Sequence, residues 1–158
     1  MERRDYRVSV IGGSSVTETE YERARTVGRL LGERDLAVVC GGRGGVMEAV
    51  CRGASEAGGH SIGILPGRHR SGANEYVDTV VATGIGNARN PLVVMNGDAT
   101  IAVDGGPGTL SELGHALDFG RPVAGLGTHR IQGVDGIEHV ETPTEAVEYV
   151  ETTFDGRN

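Results

Sequence analysis

The feature that most constrains this fold is a short apolar run that leads directly into a glycine-rich turn and then a helix. The pattern occurs three times, with apolar runs that end at Ile11, Cys40 and Val103. Alternating strands and helices are typical of a parallel sheet, because each new parallel strand needs a crossover connection. We therefore predict an α/β fold, a doubly wound and mostly parallel Rossmann-like sheet with helices on both faces.

Local signals define the individual elements. Thr17 with Glu20 has the spacing of a capping box, and Thr142 precedes Pro143 and Glu145 as the N-cap of a last helix. We predict strands over residues 7–11, 36–40, 61–65, 77–82, 99–103 and 122–126. Besides the helix that Thr17 caps, we predict helices over residues 46–57, 87–96, 109–119 and 143–153. Residues 68–75 should form a surface loop and residues 155–158 a frayed tail.

Length and charge limit the classes of protein that the chain can belong to. Its 158 residues suit one domain over residues 1–158, without linker or repeat. A net charge of −7 disfavours nucleic acid, which binds basic surfaces. All 15 basic residues are arginine, so a Walker-type phosphate loop and a pyridoxal phosphate Schiff base, which need lysine, are excluded.

The sequence predicts neither a membrane segment nor a metal site. No apolar run approaches the roughly 18 residues of a membrane span, and the charged residues 1–7 do not resemble a secretory signal. We therefore expect a cytoplasmic protein with no membrane partner. The 5 histidines show no metal-ligand spacing, so no metal ligands are predicted.

The three glycine-rich turns should open together on the carboxyl edge of the sheet, where doubly wound proteins bind ligands. Glycine lets backbone amides approach an anion, and a helix N-terminus favours a phosphate. Each turn alone is also compatible with a tight turn that binds nothing, but three in register favour a shared ligand. The predicted nucleotide- or phosphate-binding residues are Gly12, Gly13, Ser14, Gly42, Arg43, Gly44, Gly45, Gly105, Gly106, Gly108 and Thr109.

The strongest single segment is GGPGTLSE, which runs from Gly105 to Glu112. Pro107 stiffens the turn, Thr109 offers a hydroxyl at the helix start, and Glu112 lies one turn into the helix. Taken alone, Glu112 could simply stabilise the helix through its dipole. A chemical role for this carboxylate depends on what the loop binds.

The GGPGTLSE segment resembles the GGxGTxxE motif of the LONELY GUY family of nucleoside monophosphate phosphoribohydrolases, formerly described as lysine decarboxylases. Residues 12–15 are similar to the family's first nucleotide loop and residues 41–47 to its second glycine loop. The resemblance is closest to a short subgroup with ILPG, ARN and GGxGTLSE segments, which is similar to molybdenum cofactor carrier proteins. Without lysine, the decarboxylase activity is excluded.

The resemblance implies a catalytic pair, Arg89 and Glu112, because Arg89 lies sixteen residues before the glycine motif, as the family's catalytic arginine does. Two positions depart from the enzymes. Asp104 stands in place of a proline, and Asn90 in place of a basic residue. Asp104 would repel a phosphate unless a cation such as Arg89 or Arg43 offsets its charge.

Two functions follow from the resemblance. In the first, the protein needs no cofactor and hydrolyses the N-glycosidic bond of a nucleoside 5′-monophosphate to free base and ribose 5-phosphate. Glu112 then stabilises the ribose cation or orients water, while Arg89 positions the nucleotide. In the second, the same loops carry the molybdenum cofactor or a nucleotide and nothing is cleaved. A third function, DNA processing, is disfavoured by the acidic charge and the few aromatic residues.

The resemblance also implies a homo-oligomer, a dimer or larger, whose helices pair near the site. The sequence offers one supporting feature. Gly114 and Ala116, in the predicted helix 109–119, are small enough to allow close packing.

Overall fold

In the computed structural model, which describes residue 2 and residues 5–155, seven strands form one sheet. The strands are β1 (Arg7–Gly12), β2 (Ala37–Cys40), β3 (Ser61–Leu65), β4 (Thr79–Ala82), β5 (Ala99–Val103), β6 (Val123–Leu126) and β7 (Ile137–Val140). Their order is β4-β3-β2-β1-β5-β6-β7, and all neighbouring pairs are parallel. This arrangement confirms the predicted doubly wound, Rossmann-like class.

Helices cover both faces of the sheet. They are α1 (Glu18–Glu33), α2 (Val46–Glu56), α3 (Asn90–Met95), α4 (Pro107–Asp118) and α5 (Pro143–Asp155). The first, second and fifth helices share a core with Val10 and Val38, whereas α3 and α4 share a second core with Ile11 and Val39. Because successive strand residues point to opposite faces, neighbours in one strand belong to different cores.

The predicted caps start two of the helices. Oγ1 of Thr17 accepts a hydrogen bond from the Glu20 amide at 3.2 Å, and the Glu20 carboxylate accepts one from the Thr17 amide. Oγ1 of Thr142 accepts one from the Glu145 amide, also at 3.2 Å. Such caps typically stabilise a protein by about 1 kcal/mol each.

Two glycines let α1 and α2 touch through their backbones. A Cβ atom built on Gly28 would lie 2.0 Å from the carbonyl oxygen of Val50, and one on Gly53 would lie 1.9 Å from that of Arg25. These distances are far inside atomic contact, so the crossing requires glycine at both positions. The glycine content of the chain therefore serves helix packing as well as loops.

The structure differs from the predicted elements in several places. The strand β7 was not predicted, because its sequence IEHV is polar and only half-buried at the edge of the sheet. The predicted helix 87–96 divides into a 3-10 turn (Gly86–Arg89) and α3, and α4 begins two residues before the predicted start. Of the tail expected to fray, residue 155 ends α5 and residues 156–158 lie outside the described part of the chain.

The central strands β1 and β5 lie side by side, and the chain leaves them toward opposite faces, through α1 and α4. Such a switch point opens a crevice at the carboxyl ends of the strands, where ligands bind in this fold class. Within the described residues, none of the helices has both the length and the apolar character needed to cross a membrane.

Candidate functional site

A cavity of about 580 Å³ opens at this switch point, and the three glycine-rich turns meet in its wall. Ten of the thirteen residues that the sequence singles out line it. They are Gly12, Gly13, Ser14, Arg43, Gly44, Arg89, Gly106, Gly108, Thr109 and Glu112. The turns therefore share one crevice, although the chain separates them by up to some ninety residues.

Gly42, Gly45 and Gly105 lie outside the cavity lining. All three have positive φ, of 77°, 65° and 125°, a backbone region that favours glycine. Each is also crowded from behind, since a Cβ atom would meet Leu65 at 2.7 Å, a backbone oxygen of Gly13 at 2.2 Å, or Thr109 at 2.5 Å respectively. These glycines shape the turns, while their neighbours face the cavity.

Arg89 is 7% exposed and reaches the cavity from the end of the 3-10 turn. Its Nε donates a hydrogen bond to the Ile64 carbonyl oxygen at 2.9 Å, and its Nη1 donates to Oδ1 of Asn90. Burial lowers the pKa of Arg89, an effect that the charge of Glu112 opposes. The guanidinium is thus fixed in orientation while part of its donor set still faces the cavity.

Glu112 is the only carboxylate among the described residues that line the cavity, and it is 8% exposed. Within the described chain it has no hydrogen-bond or ion-pair partner. Burial raises its pKa to about 7, although the charge of Arg89 pulls the pKa down. A carboxyl group in this state can hold or release a proton near neutral pH.

The first turn of α4 offers free backbone donors. No side chain caps the helix, and its first helical hydrogen bond runs from the Leu110 amide to the Gly106 carbonyl oxygen at 3.1 Å. The Gly108 and Thr109 amides precede that bond and lack helical partners, as is usual in a first turn. Together with the helix dipole they form an arrangement that favours an anion.

Residues after β6 hold this third glycine turn from behind. Oγ1 of Thr128 donates a hydrogen bond to the Asp104 carbonyl oxygen at 2.9 Å. Nε2 of His129 lies 3.0 Å from the Gly106 carbonyl oxygen. Because a carbonyl oxygen only accepts, Nε2 carries the proton in this contact. The two contacts engage carbonyls of the turn and leave its amides available.

The charge of Asp104 is offset by Arg23, which is neither of the two arginines considered from the sequence, Arg89 and Arg43. Nη1 of Arg23, on α1, lies 3.0 Å and 3.3 Å from the two carboxylate oxygens of Asp104. Burial raises the pKa of Asp104 and the Arg23 charge lowers it. Asp104 does not line the cavity. Arg23 therefore compensates the charge of Asp104 outside the predicted binding site.

Several cavity-lining residues were not among the predicted site residues. Asn87 comes from the connection between β4 and β5, whose path over the strand ends is set by tertiary structure. Gly41, Met47, Pro66 and Asn90 belong to segments that carried the family resemblance, but no binding role was assigned to them.

The parallel sheet with a glycine-lined crevice at its switch point defines a Rossmann-type α/β protein. Residues 5–154 match the SLOG cluster4 family, and the chain belongs to that family. An uncharacterized protein of Archaeoglobus fulgidus is 42% identical over 142 residues, which are 90% of this chain and 92% of that protein.

Two further similarities concern proteins with a stated activity or ligand. The cytokinin riboside 5′-monophosphate phosphoribohydrolase of Mycobacterium tuberculosis is 33% identical over 129 residues, covering 79% of this chain and 67% of the enzyme. The molybdenum cofactor binding protein of the phototrophic bacterium Rippkaea orientalis has a TM-score of 0.90 at 32% identity, covering 97% of this chain and 99% of that protein. The predicted resemblance to both groups is confirmed.

Proposed function

We propose that this protein is a nucleoside 5′-monophosphate phosphoribohydrolase, which adds water across the N-glycosidic bond and releases free base and ribose 5-phosphate. The observation that carries the proposal is the buried, unpaired carboxylate of Glu112 in one cavity with Arg89 and three glycine turns. The similarity to the mycobacterial enzyme supports the same reaction.

The 5′-phosphate binds at the start of α4. The amides of Gly106, Gly108 and Thr109 supply donors there, and the helix dipole adds a favourable partial charge. Gly12, Gly13, Ser14, Arg43 and Gly44 form the facing part of the wall. This placement leaves the ribose over the helix surface that carries Glu112, one turn further along.

Glu112 is the residue that stabilises the charge developing at the reacting bond. As the bond from C1′ to the base nitrogen breaks, the base keeps the electron pair and positive charge develops on the ribose. The ionised Glu112 carboxylate stabilises that charge and accepts a proton from the water that adds at C1′. This proton then passes to the base nitrogen, so that neutral base is released and the carboxylate is regenerated. With a pKa of about 7, the ionised form becomes available as the pH rises through neutrality.

Arg89 positions the nucleotide. Its Nε and Nη1 are engaged by Ile64 and Asn90, so its remaining donors point in a fixed direction. A planar guanidinium suits phosphate or carboxylate oxygens, and its fixed position limits the entropy lost on binding.

A second candidate function is carriage of the molybdenum cofactor or a nucleotide without cleavage. It is favoured by the similarity to the Rippkaea orientalis protein over nearly the full length of both chains. Asn90 and Asp104, which depart from the enzyme pattern, favour it as well. In this function the α4 turn binds the cofactor's phosphate, while Arg89 and Glu112 orient the pterin or base.

One experiment separates the two functions. Purified protein is incubated with AMP and other nucleoside 5′-monophosphates, and free base is measured between pH 6 and about 8. Hydrolysis predicts base release that rises with pH and falls about 100-fold or more in Glu112→Gln. Absence of release, together with thermal stabilisation by a nucleotide or a molybdopterin extract, would establish the carrier function instead.

We also propose a homo-oligomer that forms through α3 and α4. Met95 on α3 and Leu110 on α4 are 45% and 44% exposed, and Gly114 lies one turn after Leu110 on the same helix face. Ala116 is fully buried in the core and therefore contributes no surface. Light scattering should give a dimer or larger species that dissociates in Leu110→Asp.

A further inference from the structure

A series of side-chain hydrogen bonds, which we call the Arg89 relay, connects Arg89 to the first turn of α4. Nη1 of Arg89 donates to Oδ1 of Asn90, and Nδ2 of Asn90 donates to Oγ of Ser111 at 3.4 Å. Oγ of Ser111 donates in turn to the Gly108 carbonyl oxygen at 2.8 Å. Asn90 is 8% exposed and lines the cavity, whereas Ser111 is exposed and does not line it. The relay therefore joins a side chain outside the cavity to the arginine inside it.

The chemistry of each group fixes the direction of every bond in the relay. A guanidinium only donates, so the Asn90 atom that faces Arg89 is the amide oxygen. The amide nitrogen of Asn90 also only donates, so the Ser111 oxygen accepts from it. The Ser111 proton is then left for the carbonyl oxygen, which only accepts. All three bonds thus run in one direction, an arrangement in which each bond polarises and strengthens the next.

The last acceptor of the relay belongs to the peptide group of a cavity residue. The Gly108 carbonyl and the Thr109 amide share one planar, conjugated unit. A hydrogen bond to the oxygen of such a unit polarises it, so that its N–H group becomes a stronger donor. Thr109 lines the cavity, and its amide precedes the first helical hydrogen bond of α4. The relay therefore ends on one of the groups that we propose to bind phosphate.

The other two side-chain contacts that hold this turn cannot have the same effect. His129 contacts the carbonyl oxygen that precedes Pro107, and proline has no N–H group to polarise. Thr128 donates to the carbonyl oxygen that precedes Gly105, which does not line the cavity. Among the described side chains that contact carbonyls of this turn, Ser111 is thus the one that acts on a cavity-lining amide.

We propose that Ser111 and Asn90 are positioning residues for the phosphate of the ligand, because they hold the Arg89 guanidinium and polarise the Thr109 amide as one unit. The inference rests on the proposed binding of the 5′-phosphate at α4. Loss of the Ser111 hydroxyl weakens both groups together, since Asn90 loses its acceptor and the Gly108 carbonyl oxygen loses its side-chain donor.

The test is titration calorimetry with ribose 5-phosphate, which carries the phosphate but has no glycosidic bond to cleave. We expect Ser111→Ala to bind it about fivefold more weakly, as the loss of one hydrogen bond would give. Ser111→Thr should stay within about twofold of wild type, because threonine keeps a hydroxyl that reaches a helical carbonyl. Alanine is a better helix former than serine, so a loss in Ser111→Ala does not come from a weaker helix.

A double-mutant cycle with Asn90→Ala tests the connection itself. If both side chains act through the relay, adding Ser111→Ala to Asn90→Ala should weaken binding by only about twofold or less. Independent contributions would multiply instead. The matched control is Thr152→Ala on α5, which removes another exposed helical hydroxyl that donates to the carbonyl oxygen three residues before it, at 2.6 Å. This variant should bind ribose 5-phosphate as wild type does.

Unchanged binding in Ser111→Ala, an equal loss in Ser111→Thr, or effects that multiply in the double variant would overturn the inference and leave the proposed function standing. If ribose 5-phosphate binds with the expected pattern but no nucleoside monophosphate releases base, the inference holds and the hydrolase function fails. If the wild-type protein does not bind ribose 5-phosphate, phosphate binding at α4 is wrong, and the inference fails with it.

Discussion

Gly41 leaves the space that the guanidinium of Arg89 occupies, because a Cβ atom on Gly41 would lie 2.7 Å from Nη2 of Arg89 and 2.6 Å from Sδ of Met47. Sδ of Met47 ends a flexible side chain, whereas Arg89 is held by its hydrogen bonds to Ile64 and Asn90, so Gly41→Ala should move Met47 and weaken those two bonds. We expect a loss of about 1 kcal/mol in the free energy of unfolding and AMP binding weakened about tenfold or more. Urea unfolding and calorimetry measure the two. Unchanged AMP affinity would show that the Arg89 position does not matter for binding.

Gly28→Ala should have the opposite profile. Its new methyl group would lie 2.0 Å from a backbone oxygen of α2, which cannot swing aside without moving the helix. We expect a loss of about 3 kcal/mol or more in the free energy of unfolding. Gly114→Ala is the control, and both variants are compared in the Leu110→Asp background so that no subunit contact is involved. No atom of the same chain surrounds that position on α4, and the change should stabilise by up to about 1 kcal/mol. Equal stability of the two variants would contradict the close helix crossing.

Asp104→Pro, which introduces the residue of the related enzymes, should destabilise the protein. Asp104 has φ of 52°, whereas proline is confined near −65°. Its amide also donates to the Leu126 carbonyl oxygen at 3.0 Å, a bond that proline cannot make. We expect a loss of about 3 kcal/mol or more for Asp104→Pro and no loss for Asp104→Asn, which tolerates this φ, can still accept a hydrogen bond from Arg23 and removes a carboxylate whose pKa is raised by burial. Thermal unfolding that ranks Asn below Pro would refute this account.

Glu112→Gln should stabilise the fold at alkaline pH. The folded-state pKa of Glu112 is about 7, above its ordinary value near 4.5, so the folded protein binds the proton more tightly than the unfolded chain. The resulting cost to stability is small below the unfolded pKa, grows as the pH rises to 7, and is then constant at about 3 kcal/mol.

Urea unfolding of wild type and Glu112→Gln at pH 8 and at about pH 4.5 measures this cost. The variant should be more stable at the higher pH, and the difference should nearly vanish at the lower one. A constant difference would mean that burial of the charge is not the cause.

The fold class could be predicted from the sequence because apolar strand segments, glycine turns and helices alternate along the chain, as a parallel sheet requires. The capping residues Thr17 and Thr142 placed two helix starts correctly. β7 was not predicted, because an edge strand needs no apolar pattern and the polar residues Glu138 and His139 leave its sequence without one. The start of α4 was placed too late because Pro107 suits both a turn and the first helical position.

The candidate site could be predicted only where a local motif supplies it. The glycine turns and Glu112 belong to recognisable sequence motifs. Because the fold class brings the carboxyl ends of the strands to one edge of the sheet, their proximity could be predicted. Asn74 gave no such signal, since its contact with Arg43 depends on how distant connections cross. The partner of Asp104 was missed for the same reason, because Arg23 lies on a separate helix, α1.

The cavity wall draws on the ends of the central strands and on the connections after them, and within the described chain β7 and α5 supply none of its lining. β7 forms one edge of the sheet, and α5 packs in the core that also holds α1 and α2. Substitutions in these two elements that keep the core packed should therefore leave the surroundings of the ligand unchanged. The loop between β6 and β7 differs from them, because its Thr128 and His129 hold the third glycine turn.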